Sequence, residues 1–146
     1  MKLDGRIAVV SGAFRGIGKA SAEILATEGA HVIALGIIDG EPVYASRIAY
    51  RRFDVASPQM WDDLAKELER IDILVNSAGI TQTRSGLTDL DLSEWNRIIA
   101  VNQTGTQLGM RMAVSLMLGK GACSIVNRGP SCDGRNSAGG KIVVLP

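Results

Sequence analysis

A glycine-rich segment near the start of the chain limits its possible folds more than any other feature of the sequence. The segment is Ser11–Gly18 (SGAFRGIG), with glycines in the pattern Gly-x3-Gly-x-Gly. It follows the apolar run Ile7–Ser11, typical of a buried strand, and from Gly16 onward apolar residues recur at helical spacing. Glycine lets the backbone approach an anion closely, and the first turn of a helix supplies free N–H donors. A strand, a glycine-rich segment and a helix in this order predict a phosphate-binding turn. The alternative is a glycine-rich turn that is needed only for packing.

Strand and helix signals alternate along the rest of the chain. Further apolar runs typical of buried strands occupy Ala30–Leu35, Ile48–Phe53, Ile71–Asn76 and Ser124–Asn127. Amphipathic patterns predict helices from Gly16 to Gly29, from an N-cap at Ser57 onward, and from an N-cap at Asp91 to about Leu118. Buried strands that alternate with helices predict the α/β fold class, with a parallel sheet joined by right-handed crossovers.

Composition and charge exclude several classes of protein. The hydrophobic fraction of 46% is that of a folded chain, and the net charge of +1 leaves no basic surplus for nucleic acid. No apolar run reaches the roughly 18 residues that a membrane-spanning helix needs. The two cysteines and single histidine are too few for a metal site. With no signal-peptide pattern at the start, we expect a cytoplasmic protein without nucleic-acid, membrane or metal partners.

The character of the sequence changes after Asn127. Residues 1–127 carry the regular strand and helix signals, whereas Arg128–Gly140 is polar, glycine-rich and without period. We therefore predict a single domain over 1–127 and a divergent tail over 128–146 that is loop or disordered. The alternative is that the short apolar run Lys141–Leu145 folds back and pairs beside the fifth strand.

Four motifs in order resemble the classical short-chain dehydrogenase/reductase (SDR) family. They are Gly12, Gly16 and Gly18 in the glycine loop, Asp54-Val55 after the third strand, Asn76–Gly79 (NSAG) after the fourth and Asn102 on the long helix. Ser124–Asn127 resembles the fifth strand of the family, so the resemblance covers residues 5–127. It implies a Rossmann-type doubly wound sheet in three α/β/α layers, here with strands 1–5 only and the last strands missing.

The resemblance also implies NAD(P)-dependent hydride transfer between alcohol and carbonyl substrates. The residues that it places against the cofactor are Ser11, Gly12, Arg15, Gly16, Ile17, Gly18, Asp54, Val55, Asn76, Ala78 and Gly79, with Asn102 as the catalytic residue. The Asp54 carboxylate can accept a hydrogen bond from the adenine amine, and the small Ala78 and Gly79 leave room for the cofactor. Taken alone, Asp54 equally fits a turn or cap residue, and Asn102 fits a polar residue on a helix surface.

The choice between NAD and NADP depends on the end of the second strand. A carboxylate there would hold the ribose 2′-hydroxyl and repel a 2′-phosphate, but the sequence has Gly36 followed by Ile37. Asp39 is close by but displaced along the loop, whereas Arg15 is the residue type that binds a 2′-phosphate. These signals conflict, and Arg15 favours NADP over NAD.

The catalytic tyrosine and lysine of the family have no counterpart at the expected positions. With the fifth strands aligned, the serine position falls at Pro130, the tyrosine position at Val143 and the lysine position after Pro146. The two tyrosines of the chain, Tyr44 and Tyr50, come far too early. An unassisted tyrosine has a pKa of about 10, so the reaction needs the neighbouring cation. We therefore expect the chain as given to lack dehydrogenase activity.

A second hypothesis is a non-catalytic nucleotide-binding or dimer-interfering module that associates with a full-length relative. Such a module would use the helix over 95–118, which is also the candidate surface for a homo-oligomer. Under both hypotheses the partner is a nicotinamide dinucleotide, and a small alcohol or carbonyl substrate binds only in a full-length form. A third hypothesis, a methyltransferase that uses S-adenosylmethionine, is disfavoured by Asn76–Gly79 and Asn102.

Overall fold

The computed structural model describes residues 1–39, 46–82, 90–129 and 140–145 and is built around one sheet. Its strands are β1 Ile7–Ser11, β2 His31–Gly36, β3 Ile48–Arg52, β4 Ile73–Asn76, β5 Cys123–Arg128 and β6 Gly140–Leu145. They lie side by side in the order β3-β2-β1-β4-β5-β6. The first five strands are parallel, which confirms the predicted α/β class and a Rossmann-like arrangement.

In the part of the chain that the structure describes, four α-helices connect or flank the strands. They are α1 Gly16–Thr27, α2 Pro58–Glu67, α3 Leu92–Ile99 and α4 Gly105–Met117. Two helix starts are confirmed as predicted: the Ser57 hydroxyl accepts a hydrogen bond from the Met60 N–H at 3.4 Å, and the Asp91 carboxylate accepts one from the Glu94 N–H at 2.8 Å. Within the described ranges, no helix is both long and apolar enough to cross a bilayer.

The long helix expected from Asp91 to Leu118 is interrupted. Between α3 and α4 the backbone forms a π-helical segment, Ala100–Thr104, which adds a residue to that turn. A Cβ at Gly105 would lie 2.8 Å from Val55 Cγ2, so the helix passes very close to the loop after β3. Apolar periodicity does not distinguish a π turn from an α turn, because both keep one face toward the core.

The described residues form two apolar core clusters, one on each face of the sheet. On the α1 face the side chains are small, as at Ala8 and Ala22, so α1 packs close to the strands. On the other face the larger side chains of α2 and α4 pack around Trp61. The Trp61 indole N–H donates to the Val55 carbonyl at 2.8 Å, and its ring meets Phe53 edge-on. These contacts fix the loop after β3 at the carboxyl edge of the sheet.

The structure departs from the predicted tail at Gly140–Leu145, which is a strand and not a loop. This segment, β6, pairs antiparallel with β5 and places Val143 opposite Ile125. The physical reason is that β5 would otherwise present unpaired backbone groups along an apolar edge, and the short apolar run supplies their partners. The observed pairing is that of the fold-back alternative. The predicted serine position, Pro130, lies outside the described residues.

We expect hydrogen exchange to detect this added strand. In an antiparallel edge strand every second amide faces the neighbouring strand, so about half of the amides of residues 142–145 should exchange at least about tenfold more slowly than loop amides. Exchange followed residue by residue by NMR measures this, with the exposed Gly121 before β5 as the loop reference. Uniformly fast exchange over 142–145 would contradict the pairing.

Candidate functional site

The carboxyl ends of the parallel strands surround a cavity of about 630 Å³. Its walls come from the β1–α1 loop, the end of β2, the loop after β3 and the end of β4. Of the predicted cofactor residues, those that line it are Gly12, Arg15, Gly16, Ile17, Gly18, Asp54, Val55, Ala78 and Gly79. Open α/β sheets bind their ligands at this edge, at the point between β1 and β4 where the strand order reverses.

The glycine loop brings the N-terminus of α1 to the cavity. Gly12 has a φ of +67°, and a Cβ there would lie 2.7 Å from the Ala78 backbone. A Cβ at Gly18 would lie 2.2 Å from the Gly12 carbonyl oxygen, so only glycine fits. Arg15 is the N-cap of α1, and its side chain makes no capping hydrogen bond. No described side chain accepts a hydrogen bond from the first-turn N–H groups, and with the positive end of the helix dipole these groups suit a phosphate.

Two predicted cofactor residues, Ser11 and Asn76, lie behind the cavity wall instead of lining it. Both are buried. The Ser11 hydroxyl accepts hydrogen bonds from the N–H groups of Ser77 and Ala78 at 3.2 and 3.3 Å. The Asn76 amide donates to the Asn127 side-chain oxygen at 2.9 Å. These side chains hold the ends of β1, β4 and β5 together, so they position the wall.

Asn102 lies in the π-helical segment beside the cavity. Its Oδ1 accepts a hydrogen bond from the Ile80 N–H at 2.9 Å, and its Nδ2 donates to the Ile80 carbonyl at 2.8 Å. Its own carbonyl accepts from the Thr106 hydroxyl at 2.8 Å. The side chain therefore joins the helix to the loop after β4 and positions that loop. Its predicted catalytic role stays a prediction.

Asp54 follows β3 and is exposed at the cavity wall. Its Oδ1 accepts a hydrogen bond from the Ala56 N–H at 2.9 Å, which closes an Asx turn. No donor among the described residues contacts Oδ2, so one carboxylate oxygen is left for a ligand. Asp54 can therefore form the turn with Oδ1 and accept a hydrogen bond from adenine with Oδ2, so the two interpretations of this residue do not conflict.

The described residues at the end of β2 supply no carboxylate to the cavity. Gly36, Ile37 and Ile38 line it here. Asp39 forms an ion pair with Arg52, in which Oδ1 lies 2.9 Å from Nε. A ligand that reaches the end of β2 therefore meets apolar side chains and backbone.

The cavity carries a surplus of positive charge. Arg15, Arg97 and Arg128 line it, with Asp54 as the one acidic residue in the described wall. None of the three arginines forms an ion pair with a described carboxylate. Sequence reasoning missed Arg97 and Arg128, because only the fold brings α3 and the end of β5 to this edge. Such a charge balance attracts an anionic ligand.

Comparisons with known proteins agree with this geometry. A family model described as short chain dehydrogenase matches residues 6–140. The chain is 38% identical over 138 residues to D-threitol dehydrogenase of Mycolicibacterium smegmatis, covering 86% of this chain and 53% of that protein. It is 36% identical over 135 residues to 3-alpha-(or 20-beta)-hydroxysteroid dehydrogenase of Mycobacterium bovis, covering 86% and 52%.

A solved structure is also similar to this chain in fold and sequence. The crystal structure of a protein assigned as a gluconate dehydrogenase, from Agrobacterium tumefaciens, superposes with a TM-score of 0.75 and 32% identity. The match covers 88% of this chain and 55% of that one. The chain spans about half the length of the curated relatives it matches. With the family model matched over most of its length, this chain belongs to the short-chain dehydrogenase family.

Proposed function

We propose that the cavity binds a nicotinamide dinucleotide, with its pyrophosphate at the N-terminus of α1. The observation that carries this proposal is the uncapped first turn of α1, behind a loop in which Gly12 and Gly18 leave no room for a Cβ. Adenine lies toward the free oxygen of Asp54, and the cofactor runs along the small side chains of Ala78 and Gly79. Relatives named as dehydrogenases support the same class of cofactor.

We propose that residues 1–127 form the dinucleotide-binding domain and that β6 adds an edge strand to it. The reaction of a protein that contains this domain is hydride transfer between an alcohol or carbonyl substrate and the cofactor. The bound nicotinamide supplies the hydride donor or acceptor. The described residues that line the cavity bind and orient it.

Among the described residues, we find no group placed to transfer the proton of this reaction. Tyr50 lies on β3, and its hydroxyl donates a hydrogen bond to the Ile38 carbonyl at 2.9 Å. Tyr44 lies outside the described residues. We therefore propose that these residues bind the cofactor without turning over an alcohol, and that substrate binds only in a full-length form.

Titration with NADH and NADPH, followed by cofactor fluorescence, tests this function. We expect saturable binding with a Kd below about 100 µM and no turnover of an alcohol panel above that of Gly16→Asp. A Cβ at position 16 meets nothing within 4 Å, and its carboxylate repels a phosphate at the helix N-terminus. Gly16 has a φ of +57°, a conformation that aspartate adopts more readily than most residues, and thermal unfolding checks that the variant is folded. A folded protein that binds neither nucleotide contradicts the binding, and turnover above the control contradicts the inactivity.

We propose NADP as the preferred cofactor. Among the described residues, the end of β2 offers no carboxylate to repel a 2′-phosphate, since Gly36 and Ile37 line the cavity and Asp39 pairs with Arg52. Arg15 lines the same cavity and has no described carboxylate partner. A guanidinium placed in this way can bind the 2′-phosphate in a bidentate manner.

Replacing Arg15 with glutamine should weaken NADPH binding by about tenfold and change NADH binding by less than about threefold, because only NADPH carries the 2′-phosphate. The two dissociation constants from fluorescence titration measure this difference. Arg111→Gln is the matched control, since Arg111 pairs with Asp62 away from the cavity. An equal loss for both nucleotides would assign Arg15 to the pyrophosphate and contradict the NADP preference.

The exposed apolar side chains over residues 95–118 favour a second function. This function is association with a full-length relative. No residue of α3 is buried, and Trp95 is 49% exposed. Leu118, just after α4, is 69% exposed. We propose that this surface mediates homo-oligomers or mixed oligomers. Size-exclusion chromatography of this chain co-expressed with a differently tagged full-length relative tests it, and absence of a mixed oligomer removes the proposal.

A further inference from the structure

The end of β2 has space for glycine only. A Cβ at Gly36 would lie 2.8 Å from the Tyr50 hydroxyl oxygen and 3.3 Å from a carbon of its ring. The backbone itself does not require glycine, because φ at Gly36 lies outside the left-handed region. The side chain of Tyr50 is therefore what excludes other residues from position 36.

Contacts with described residues on β2, in the loop after β2 and in the glycine loop hold Tyr50 in this place. On β3 it pairs with Ala34 of β2, so its side chain lies on the same face as Gly36, two residues further along β2. Its hydroxyl donates to the Ile38 carbonyl at 2.9 Å. Its ring meets the Phe14 ring edge-on, with centroids 6.1 Å apart. A shift away from position 36 breaks at least one of these contacts.

The Tyr50 hydroxyl is a neutral group at the end of β2, where it donates to the Ile38 carbonyl. Burial raises the pKa of Tyr50, with the Asp39 carboxylate adding to this, and the hydrogen bond to Ile38 and the nearby Arg52 oppose it. Phe14 and Ile38 both line the cavity, whereas Tyr50 stands behind them. Tyr50 therefore connects the glycine loop with the end of β2. Because its pKa is raised, its hydroxyl carries no charge at neutral pH.

We propose that Tyr50 is a specificity-determining residue for the cofactor, because it fills the space from which a carboxylate at position 36 would act on the ribose. This inference rests on the proposed nucleotide binding. A carboxylate at the end of this strand holds a 2′-hydroxyl and repels a 2′-phosphate. By restricting position 36 to glycine, Tyr50 keeps β2 from presenting a carboxylate that would repel a 2′-phosphate. It is a positioning residue and does not touch the cofactor.

A double-mutant cycle on cofactor selectivity tests this inference. The proteins are the parent chain, Gly36→Asp, Tyr50→Val and the double variant, and the readout is the ratio of Kd for NADPH to Kd for NADH. Valine suits a strand and is too short to reach position 36. We expect Gly36→Asp to raise the ratio about tenfold more in the Tyr50→Val background than in the parent chain, because only there the carboxylate has room. A difference of threefold or less, taken as about the error of such cycles, overturns the inference.

Thermal unfolding of Gly36→Ala separates this inference from the proposed function. Alanine adds the Cβ without charge, so we expect it to lower Tm in the parent chain and to leave Tm unchanged in the Tyr50→Val background. Tyr50→Thr, which also suits a strand and is also too short to reach position 36, replaces Tyr50→Val in both cycles if the valine variant does not fold. A parent chain that binds neither nucleotide refutes the proposed function and this inference with it. Binding by the parent chain without coupling between positions 36 and 50 refutes the inference alone.

Discussion

Replacing Gly12 with alanine should weaken NADPH binding by at least about 30-fold, or about 2 kcal/mol. The added methyl group would lie 2.7 Å from the backbone of Ala78, on a residue whose φ is +67°. The loop can relieve this contact only by moving away from β4, and it then carries the N-terminus of α1 away from the opposite wall of the cavity. Fluorescence titration of the folded variant measures the loss.

Gly5→Ala is the matched control for this variant. Gly5 has a φ of +71°, and a Cβ there meets nothing within 4 Å. Both variants therefore have the same left-handed strain, about 1 kcal/mol, but only the one at position 12 moves the phosphate site. Equal NADPH affinity in the two variants would show that the close approach of the loop to β4 has no part in binding.

Replacing Asp72 with asparagine should lower the free energy of unfolding at pH 7 by about 3 kcal/mol, the largest effect on stability that we expect. Asp72 is buried at the amino end of the sheet. One of its oxygens accepts from the Arg6 guanidinium at 2.8 Å, and the other accepts from the Ile7 N–H at 2.8 Å. An amide has only one acceptor oxygen, so the variant directs an N–H group at one of these donors and leaves Arg6 without its counter-charge.

The same carboxylate makes this loss depend on pH. Burial tends to raise the pKa of Asp72, but the hydrogen bonds from Ile7 and Arg6 and the charge of Arg70 outweigh it, so the pKa is lowered. A lowered pKa means that the stabilisation is present above the unfolded value of about 4 and is lost as pH falls through the folded value. The gap between parent and variant in denaturant unfolding should therefore narrow from pH 7 to pH 3.

Asp62→Asn is the control for the buried carboxylate. Asp62 forms an ion pair with Arg111 at 2.8 Å, and both side chains are 54% exposed. Because solvent screens such a pair, its loss should change the free energy of unfolding by less than about 1 kcal/mol. A gap between the parent and the Asp72 variant that stays constant or widens toward pH 3 would contradict the assigned role of the carboxylate.

The parts of the molecule that the sequence predicts are those encoded by local patterns. The strand of β1, the loop with Gly12 and Gly18 and the start of α1 form one continuous segment, so their order is visible without the fold. Ser57 and Asp91 are caps for the same reason, since each bonds an N–H three residues later. Asp54 reaches the same cavity because parallel strands end at one edge.

The parts that escape prediction depend on contacts between distant segments. The Ser11 hydroxyl is turned away from the cavity by N–H groups 66 and 67 residues further along the chain. The side chain of Asn102 is occupied by Ile80, 22 residues earlier. Tyr50 is significant only because β2 lies beside β3 and brings Gly36 against its hydroxyl. No local pattern carries this information.

The central claim is that the backbone amides at the start of α1 bind the cofactor pyrophosphate. Amide chemical shifts of the ¹⁵N-labelled protein, followed by NMR during titration with NADPH, test it most directly. We expect the largest shift changes at Gly16, Ile17 and Gly18, with the same saturation as the fluorescence titration and smaller changes at Ala78 and Gly79. Saturable binding whose shift changes lie away from residues 12–18, or no change at millimolar NADPH in a folded sample, would contradict the claim.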